Sequence, residues 1–292
     1  MLERLNLLSR FFNVSGCEDE MRFHLSNCLK EMGLDPIVDE TGCLYAKRIG
    51  SDPQKHNVII SVPMDVPGFL ALYIDKNYGY LSKTAELPEI KAKSIKLMGE
   101  DGRLYNATSL RDNEKERRVY KKGIELADAF RLVPTLKNDG DLISGFFATT
   151  LARMQMLLEL ANEKTSNDVT FLFTASSCTR AAKEKNVAKR VEPDYMILIG
   201  AVKSEQNKPV LLLKDGSAFS NVDLVKSFQE QQGKDVFEKA LSSDPITKAG
   251  EVHSSEGIPI LSLALPYSLK DGKECFSLKS YEALLYGLEK FL

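Results

Sequence analysis

The chain has 292 residues, of which 43% are hydrophobic and 27% charged, which is typical of one large globular α/β domain or of a domain with a smaller insertion. Its 39 basic and 41 acidic residues nearly balance, which argues against nucleic acid or an anionic membrane as a partner. No apolar run approaches the roughly 18 residues that a membrane span needs. The 5 widely spaced cysteines and the absence of a signal-peptide pattern predict free thiols in the cytoplasm.

Two helices are predicted at the start of the chain. The first has apolar residues at helical spacing, namely Leu2, Leu5, Leu8 and Phe12. Residues 15–18, Ser-Gly-Cys-Glu, match a capping box, in which the serine oxygen accepts from the third amide of a helix and the glutamate bonds back to the first. The second helix is therefore expected to begin there and to end at Gly33.

Strands are predicted next, at residues 36–39, 43–48 and 57–62, and the last of these is apolar enough for a buried central strand. Short alternating strands then follow, at 69–74, 94–98, 104–108 and 124–132. The charged segment 111–118 between them is interpreted as a solvated loop. We expect residues 68–136 to form a small β-rich insertion domain within an α/β domain made of residues 1–67 and 137–292.

Helices and strands alternate in the second half of the chain. Helices are predicted at 144–162, 180–190, 221–231 and 278–291, and strands at 169–174, 195–200, 210–214 and 258–265. Alternation of this kind predicts an α/β fold, a mostly parallel sheet flanked by helices on both sides.

Five short motifs occur in a fixed order along this pattern. They are Ser-Gly-Cys-Glu at 15–18, Asp-Glu-Thr-Gly at 39–42, Met64-Asp65 with Gly68-Phe69, Phe-Leu-Phe-Thr at 171–174, and Glu-Gly-Ile-Pro at 256–259. With these motifs and this order of elements, the chain resembles the glutamyl and tetrahedral (deblocking) aminopeptidases over essentially its whole length. The resemblance implies a zinc-peptidase-like fold.

The resemblance also implies a metal site that this chain does not reproduce. The family uses two zinc or cobalt ions, held by two histidines and three carboxylates, with a further glutamate as general base. In this chain the first histidine corresponds to Pro63, and the Glu-Glu pair to Ser176 and Ser177. The aspartate that ends the next strand corresponds to Gly200, and the last histidine falls near Leu269.

Two aspartates remain as relics of that site. Asp65 matches a residue that supports the first histidine and is not itself a ligand. The family's bridging aspartate opens the helix after the insertion, and Asp141 can occupy that place if Gly145 is matched to the family's glycine four residues on. Asp141 and Asp139 fit an ordinary turn equally well. Because a catalytic zinc normally needs about three protein ligands, we expect no metal, no other cofactor and no aminopeptidase activity.

We therefore expect a pseudoenzyme that binds peptides or acts as a partner of a related peptidase subunit. The resemblance also implies self-association through the insertion, and a dimer or small homo-oligomer is expected. The alternative is a working hydrolase, with either an unorthodox metal set or a nucleophile among Ser176, Ser177 and Cys178 and His253 as base. The serines fit equally well as caps of the next helix, and His24 and His56 are interpreted as surface histidines.

Overall fold

The computed structural model describes residues 1–85, 87, 94–110, 113–120, 123–179, 183–233 and 235–292. The helices in this part of the chain are α1 (Leu2–Leu8), α2 (Asp19–Glu31), α3 (Ala148–Asn162), α4 (Glu184–Val191), α5 (Val222–Gln232), α6 (Ala249–Glu256) and α7 (Leu278–Phe291). The strands are β1 (Ile37–Val38), β2 (Leu44–Arg48), β3 (Asn57–Pro63), β4 (Phe69–Ile74), β5 (Tyr78–Lys83), β6 (Ser94–Gly99), β7 (Leu104–Leu110), β8 (Asn113–Tyr120), β9 (Ala129–Leu132), β10 (Lys137–Asp139), β11 (Leu142–Gly145), β12 (Asp168–Thr174), β13 (Tyr195–Lys203), β14 (Val210–Asp215), β15 (Ala218–Phe219), β16 (Glu238–Ser242), β17 (Ile260–Lys270) and β18 (Lys273–Ser277).

A large mixed sheet forms the centre of the molecule. Its strand order is β1-β2-β12-β3-β13-β17-β18-β11-β10, and β14 pairs with β15, β16 and β17 beside this path. The four central strands β12, β3, β13 and β17 are parallel, whereas their outer neighbours β2, β14 and β18 pair with them antiparallel. The predicted α/β class is confirmed, but a mostly parallel sheet is right only for the centre, because hairpins extend both edges.

Side chains of the central strands alternate between two cores on opposite faces of the sheet. In β3, Val58 and Ile60 belong to the larger core, and Ile59 belongs to the smaller one. Helices α1, α2, α3, α5 and α7 contribute to the larger core, while α4 and α6 contribute to the smaller one. The sheet therefore has helices on both faces, as expected for a parallel centre.

Strands β4 to β9 form a separate closed antiparallel barrel in the order β4-β5-β8-β7-β6-β9. All six lie within the range 68–136. The interpretation of 111–118 as a solvated loop is wrong for its described part, because residues 113–118 belong to β8 and the Arg117 side chain is only 1% exposed. Residues 111 and 112 lie outside the described residues.

The helix predicted at 144–162 begins later, at Ala148, because residues 142–145 pair with β18 as strand β11. Strands β5, β16 and β18 were not predicted at all. The helix predicted at 180–190 is described only from Lys183 onward, with α4 beginning at Glu184. None of the described helices combines the length and apolar character that crossing a lipid bilayer requires.

Candidate functional site

A cavity of about 590 Å³ lies at the carboxyl ends of the central parallel strands. The ends of β3, β12 and β13 form its floor, α3 and α4 contribute one wall from each face of the sheet, and residues 245–248 cover it. In open α/β sheets, ligands bind in the crevice at the carboxyl ends of the strands. The volume falls within the range of small-molecule pockets, which makes this cavity the candidate functional site.

Asp65 forms the most heavily hydrogen-bonded part of the cavity wall. It lies two residues after the end of β3, and only 2% of its surface is exposed. Its carboxylate accepts from the hydroxyls of Ser15 and Ser177, from the Ser177 amide at 2.9 Å and from the Cys178 amide at 3.0 Å. Four donors therefore occupy both carboxylate oxygens, and Asp65 holds the N-terminal segment against the end of β12.

Local backbone geometry after β12 makes this arrangement possible. Ser176 has a positive φ of 52°, an uncommon conformation for a residue with a side chain. This turn directs the next two amides toward Asp65 and starts the 3₁₀ turn Ser177–Thr179. Positive φ values of this kind cluster at functional sites, where surrounding contacts impose them.

The predicted capping box at 15–18 is wrong. The Ser15 hydroxyl donates to Asp65 and caps no helix, and α2 begins at Asp19 with Glu18 as its N-cap. Glu18 Oε1 instead accepts from the amide of Gly16 at 2.9 Å and from the amide of Ser176 at 2.7 Å. Ser15 and Glu18 thus connect the N-terminal segment to Asp65 and to Ser176, which are distant in sequence. The spacing within the motif predicted only contacts inside the motif.

The candidate nucleophiles lie at or near the cavity, and the contacts described for them involve carboxylates and not a histidine. Ser177 and Cys178 line it, and the Ser177 hydroxyl donates its hydrogen to Asp65. The Ser176 hydroxyl lies 3.2 Å from Glu18 Oε1. Burial, followed by the charge of Asp65, raises the pKa of Cys178 to about 12, so this residue is a thiol at neutral pH.

The histidines offer no base that the structure describes at this cavity. His253 belongs to α6, but its side chain lies outside the described residues. His24 is half-buried and stacks on Phe11, with ring centroids 4.0 Å apart. His56 is exposed, with its Nδ1 3.6 Å from Asp194 Oδ2.

Arg153 is the main cationic group of the cavity, and sequence reasoning missed it. It lies on α3 and is only 8% exposed. Its Nε, Nη1 and Nη2 each donate one hydrogen bond to a protein oxygen, to the carbonyls of Thr149 and Ile199 and to the hydroxyl of Thr150. It forms no ion pair with a carboxylate of the described residues, and burial lowers its pKa. The available signal was a single basic residue within a mostly apolar helix.

Glu184, at the start of α4, lines the cavity from the opposite face of the sheet. It is only 5% exposed, and its Oε2 has no hydrogen-bond partner among the described residues. Burial raises the pKa of Glu184 from 4.5 to about 7, with Lys248 opposing the shift and Glu251 and Asp65 adding to it. Near neutral pH this carboxyl group is therefore divided between its protonated and ionised forms. Sequence reasoning missed this residue as well.

Gly200 lies in β13 beside the cover of the cavity. A Cβ atom at this position would lie only 2.6 Å from Ile246 Cγ2. The covering loop is held there by buried Asp215, which accepts from the Ile246 amide at 2.6 Å and from Thr247. The loop therefore fills the space into which any larger side chain at position 200 would extend.

Asp141 and Leu269, which the resemblance relates to the family's metal site, do not line the cavity. Asp141 is in the turn between β10 and β11, where its Oδ2 accepts from Ser277 Oγ at 2.6 Å and its Oδ1 from the Lys279 amide at 3.2 Å. It does not open α3, which begins seven residues later at Ala148, so that part of the prediction is wrong. Leu269 is 40% exposed in β17 and pairs with Glu274 of β18.

These residues do not fit a pair of zinc or cobalt ions. A catalytic zinc ion is normally held by about three imidazole, carboxylate or thiolate ligands. No group of three such side chains among the described residues is arranged to hold a metal ion. The oxygens of Asp65 are occupied by four donors, and the guanidinium of Arg153 already supplies a positive charge to the same cavity.

The sequence matches no protein-family model, and it matches no curated protein. Solved structures, however, resemble nearly the whole chain. An aminopeptidase from the archaeon Desulfurococcus kamchatkensis has a TM-score of 0.85 at 16% identity, over 99% of this chain and 94% of that one.

Two TET peptidases are similar to the same extent. The TET aminopeptidase of a marine sediment Thaumarchaeota archaeon has a TM-score of 0.84 at 15% identity, over 99% of this chain and 96% of that one. The TET1 peptidase of Pyrococcus horikoshii, which can assemble into a tetrahedron or a large octahedral shell, has a TM-score of 0.79 at 18% identity, over 99% and 98%. At these identities the similarity concerns the fold alone, and the chain therefore has the fold of the TET-like aminopeptidases.

Proposed function

We propose that this protein is a pseudoenzyme of the glutamyl and tetrahedral aminopeptidase type, which binds a ligand or a partner without hydrolysing it. The observation that carries this proposal is the chemistry of the cavity at the carboxyl ends of β3, β12 and β13. Positions that would hold metal ligands carry Pro63, Ser177 and Gly200, and the buried guanidinium of Arg153 lines the same space. A fixed cation there disfavours divalent ions by direct charge repulsion.

Pro63, Ser177 and Gly200 are uncharged, whereas the family has metal-binding residues at these positions, and this difference agrees with a site that binds no metal. Two divalent ions a few Å apart require a dense surrounding of negative charge. Around this cavity the oxygens of Asp65 accept four hydrogen bonds, Glu184 has a pKa of about 7, and Glu251 is paired with Lys248 at 3.6 Å. A cavity whose acidic groups are neutralised in these ways is stable without metal.

For partners, we propose peptides or a related peptidase subunit, together with homo-oligomers of this chain. The Pyrococcus TET1 peptidase assembles into large shells, which supports self-association as a property of the fold. A dimer or small oligomer is our expectation for this chain. The nearly balanced charge and the five free cysteines support a cytoplasmic protein that binds neither nucleic acid nor membranes.

Metal content tests the proposal most directly. The purified protein is incubated with excess zinc or cobalt, freed of unbound ions and measured by elemental analysis, with a zinc enzyme treated in the same way as the control. We expect well below one equivalent per chain, whereas two equivalents would overturn the proposal.

Activity on a panel of aminoacyl chromogenic substrates separates the remaining alternatives. We expect no turnover with or without added metal. Turnover that a chelator abolishes would identify an aminopeptidase with an unorthodox metal set. Turnover that resists the chelator but disappears in Ser177→Ala or His253→Ala would identify a metal-free hydrolase, and either result would reject the pseudoenzyme.

A further inference from the structure

We infer that the cavity is a binding site for a small carboxylate with an apolar chain, and that Arg153 binds the carboxylate group. This inference rests on the proposed absence of metal, and it names the ligand class that the altered cavity accepts. The cavity combines unused hydrogen-bond donors with a cationic group and an apolar lining.

The guanidinium of Arg153 has donors left for a ligand. It carries five N–H groups, and oxygens of the described residues accept from three of them. The Nη1 and Nη2 atoms each keep one N–H. Because the three existing bonds fix the plane of the group, these donors are held in place at a cavity that Arg153 lines. Such a fork matches the two oxygens of a carboxylate.

The charges around the cavity favour an anion at this place. Arg153 has no ion-pair partner among the described residues, and a buried charge is expensive unless it is paired. Glu274 makes the largest charge contribution to Arg153, but its Oε2 accepts from the amide of Thr149 at 2.8 Å and from the Thr149 hydroxyl at 2.9 Å. Asp65 makes a smaller contribution, and its own oxygens accept from four other donors. Lys248 adds a second cation at the cavity, although it is already paired with Glu251 at 3.6 Å.

A single negative charge fits better than the two charges of a phosphate. One free guanidinium edge matches one carboxylate, whereas a second charge would be repelled by Asp65 and by the ionised form of Glu184. The remaining lining supplies surface for a carbon chain, through Pro63, Pro67, Leu198 and Ile246. The site is therefore complementary to a monocarboxylate whose chain lies against these residues.

The experiment measures binding to the full-length protein by isothermal titration calorimetry in the presence of a chelator. The probes are butanoate, hexanoate and octanoate, with hexanamide and hexylamine as matched neutral and cationic controls and inorganic phosphate as a competing anion. We expect at least one carboxylate to bind, and hexanamide, hexylamine and phosphate to bind at least about tenfold more weakly. Failure of all three carboxylates at millimolar concentration overturns the inference, as does equal binding of hexanamide or preferred binding of phosphate.

Variants identify the group responsible. Arg153→Met should weaken carboxylate binding at least about tenfold, and Arg153→Lys should restore only part of it because a lysine lacks the fork. Arg48→Met is the matched control, since Arg48 is also held by carbonyls, those of Met32 and Ala161, but does not line the cavity. If Arg153→Met does not fold, Arg153→Lys alone decides, and unchanged affinity in that variant overturns the inference.

The direction of the pH dependence gives a second readout. Among the described residues, Glu184 faces Lys248 and Glu251 from the α6 side and Asp65 from the end of β3. Because Glu184 has a pKa of about 7, a larger fraction of it is neutral at pH 6 than at pH 8, and the carboxylates should bind severalfold more tightly at pH 6. Glu184→Gln should remove this difference, and tighter binding of the carboxylates at pH 8 would contradict the inference that Glu184 faces the bound carboxylate group.

The chelator separates failure of this inference from failure of the proposed function. Carboxylates also bind to metal ions, so binding that appears only without chelator would reject both proposals. Binding that withstands the chelator and weakens in Arg153→Met supports both. Absence of binding in a protein that also contains no metal rejects only the ligand class and leaves the pseudoenzyme standing.

Discussion

Two regions of the sheet each hold an aspartate that the sequence connects with a lost metal centre, and the structure gives these aspartates different roles. Asp65 follows a central parallel strand, is 2% exposed and lines the cavity. Asp141 lies in the antiparallel extension formed by β10, β11 and β18, where it bonds to the start of α7. The place of a residue in the sheet, and not its chemical type, decides whether it can contribute to the site.

The difference follows from the geometry of the strands. The carboxyl ends of parallel strands lie at one edge of the sheet, so that residues distant in sequence converge there. Asp65 and Ser177, 112 positions apart, meet in this way. The hairpin β10–β11 instead lies at the end of the strand order, beyond β18. Asp141 accordingly bonds to residues at the end of the neighbouring strand β18 and in α7.

Replacement of Asp65 should have the largest effect on stability. Asp65→Ala leaves the donors of Ser15, Ser177 and Cys178 without their acceptor, and each unpaired buried donor costs about 1–3 kcal/mol. We expect the free energy of unfolding, measured by urea denaturation, to fall by about 3 kcal/mol or more. Asp139→Ala, at an exposed position of β10, is the control and should leave it within about 0.5 kcal/mol.

A loss below about 1 kcal/mol in Asp65→Ala would contradict this account. It would mean that the four hydrogen bonds only offset the cost of burying the carboxylate. In that case Asp65 would contribute to ligand binding and not to stability. Asp65 and Asp141 would then differ in function and not in their effect on the free energy of unfolding.

The sequence predicts the elements that leave a local pattern, and it fails where a residue's partners are distant in sequence. Amphipathic patterns correctly located α1 and α7, because burial against one core imposes a period on the sequence. A continuous apolar run located the central strand β3, which is buried on both faces. Strand β8 was missed because its run of charged residues is typical of a loop, although closure of the barrel buries Arg117. Local patterns also misplaced Ser15, since nothing near it in sequence indicates that Asp65 accepts its hydrogen.

The residues of the cavity also divide into those that the sequence predicted and those that it did not. Pro63, Asp65 and Ser177 were found because motifs at strand ends mark them, and all three line the cavity. Arg153 and Glu184 were missed because they lie on helices whose orientation toward the cavity depends on the packing of α3 and α4 on opposite faces of the sheet. Helical residues of this kind carry no local motif, so only the assembled fold brings them together.

Titration of Glu184 should have the next largest effect. Its pKa is 4.5 in the unfolded chain and about 7 in the folded protein, so the folded state binds more protons between these values. The stability that this carboxyl group contributes is complete below about pH 4.5 and is lost as the pH rises to about 7. From pH 5 to pH 8 we expect a loss of roughly 2 to 3 kcal/mol in the wild type relative to Glu184→Gln.

The measurement is urea denaturation of both proteins at several pH values, because the difference between them cancels the titration of other groups. Glu282→Gln, at an exposed position of α7, is the control and should follow the wild type at every pH. A difference that grows in the opposite direction with pH would mean that Glu184 is ionised and paired in the folded state. The cavity would then be more acidic than the proposed carboxylate site allows.

The smallest effect is expected in the antiparallel extension. The Ser277 hydroxyl donates to Asp141 and accepts from the Ser280 amide at 3.4 Å, which makes it the N-cap of α7. Asp141→Ala and Ser277→Ala should each lower the free energy of unfolding by about 1 kcal/mol. The double variant should lose less than the sum, because both residues belong to one hydrogen-bonded group. Neither change should alter hexanoate affinity. If Asp141→Ala weakened that affinity, this aspartate would be coupled to the cavity after all, and the separation between the two regions of the sheet would not hold.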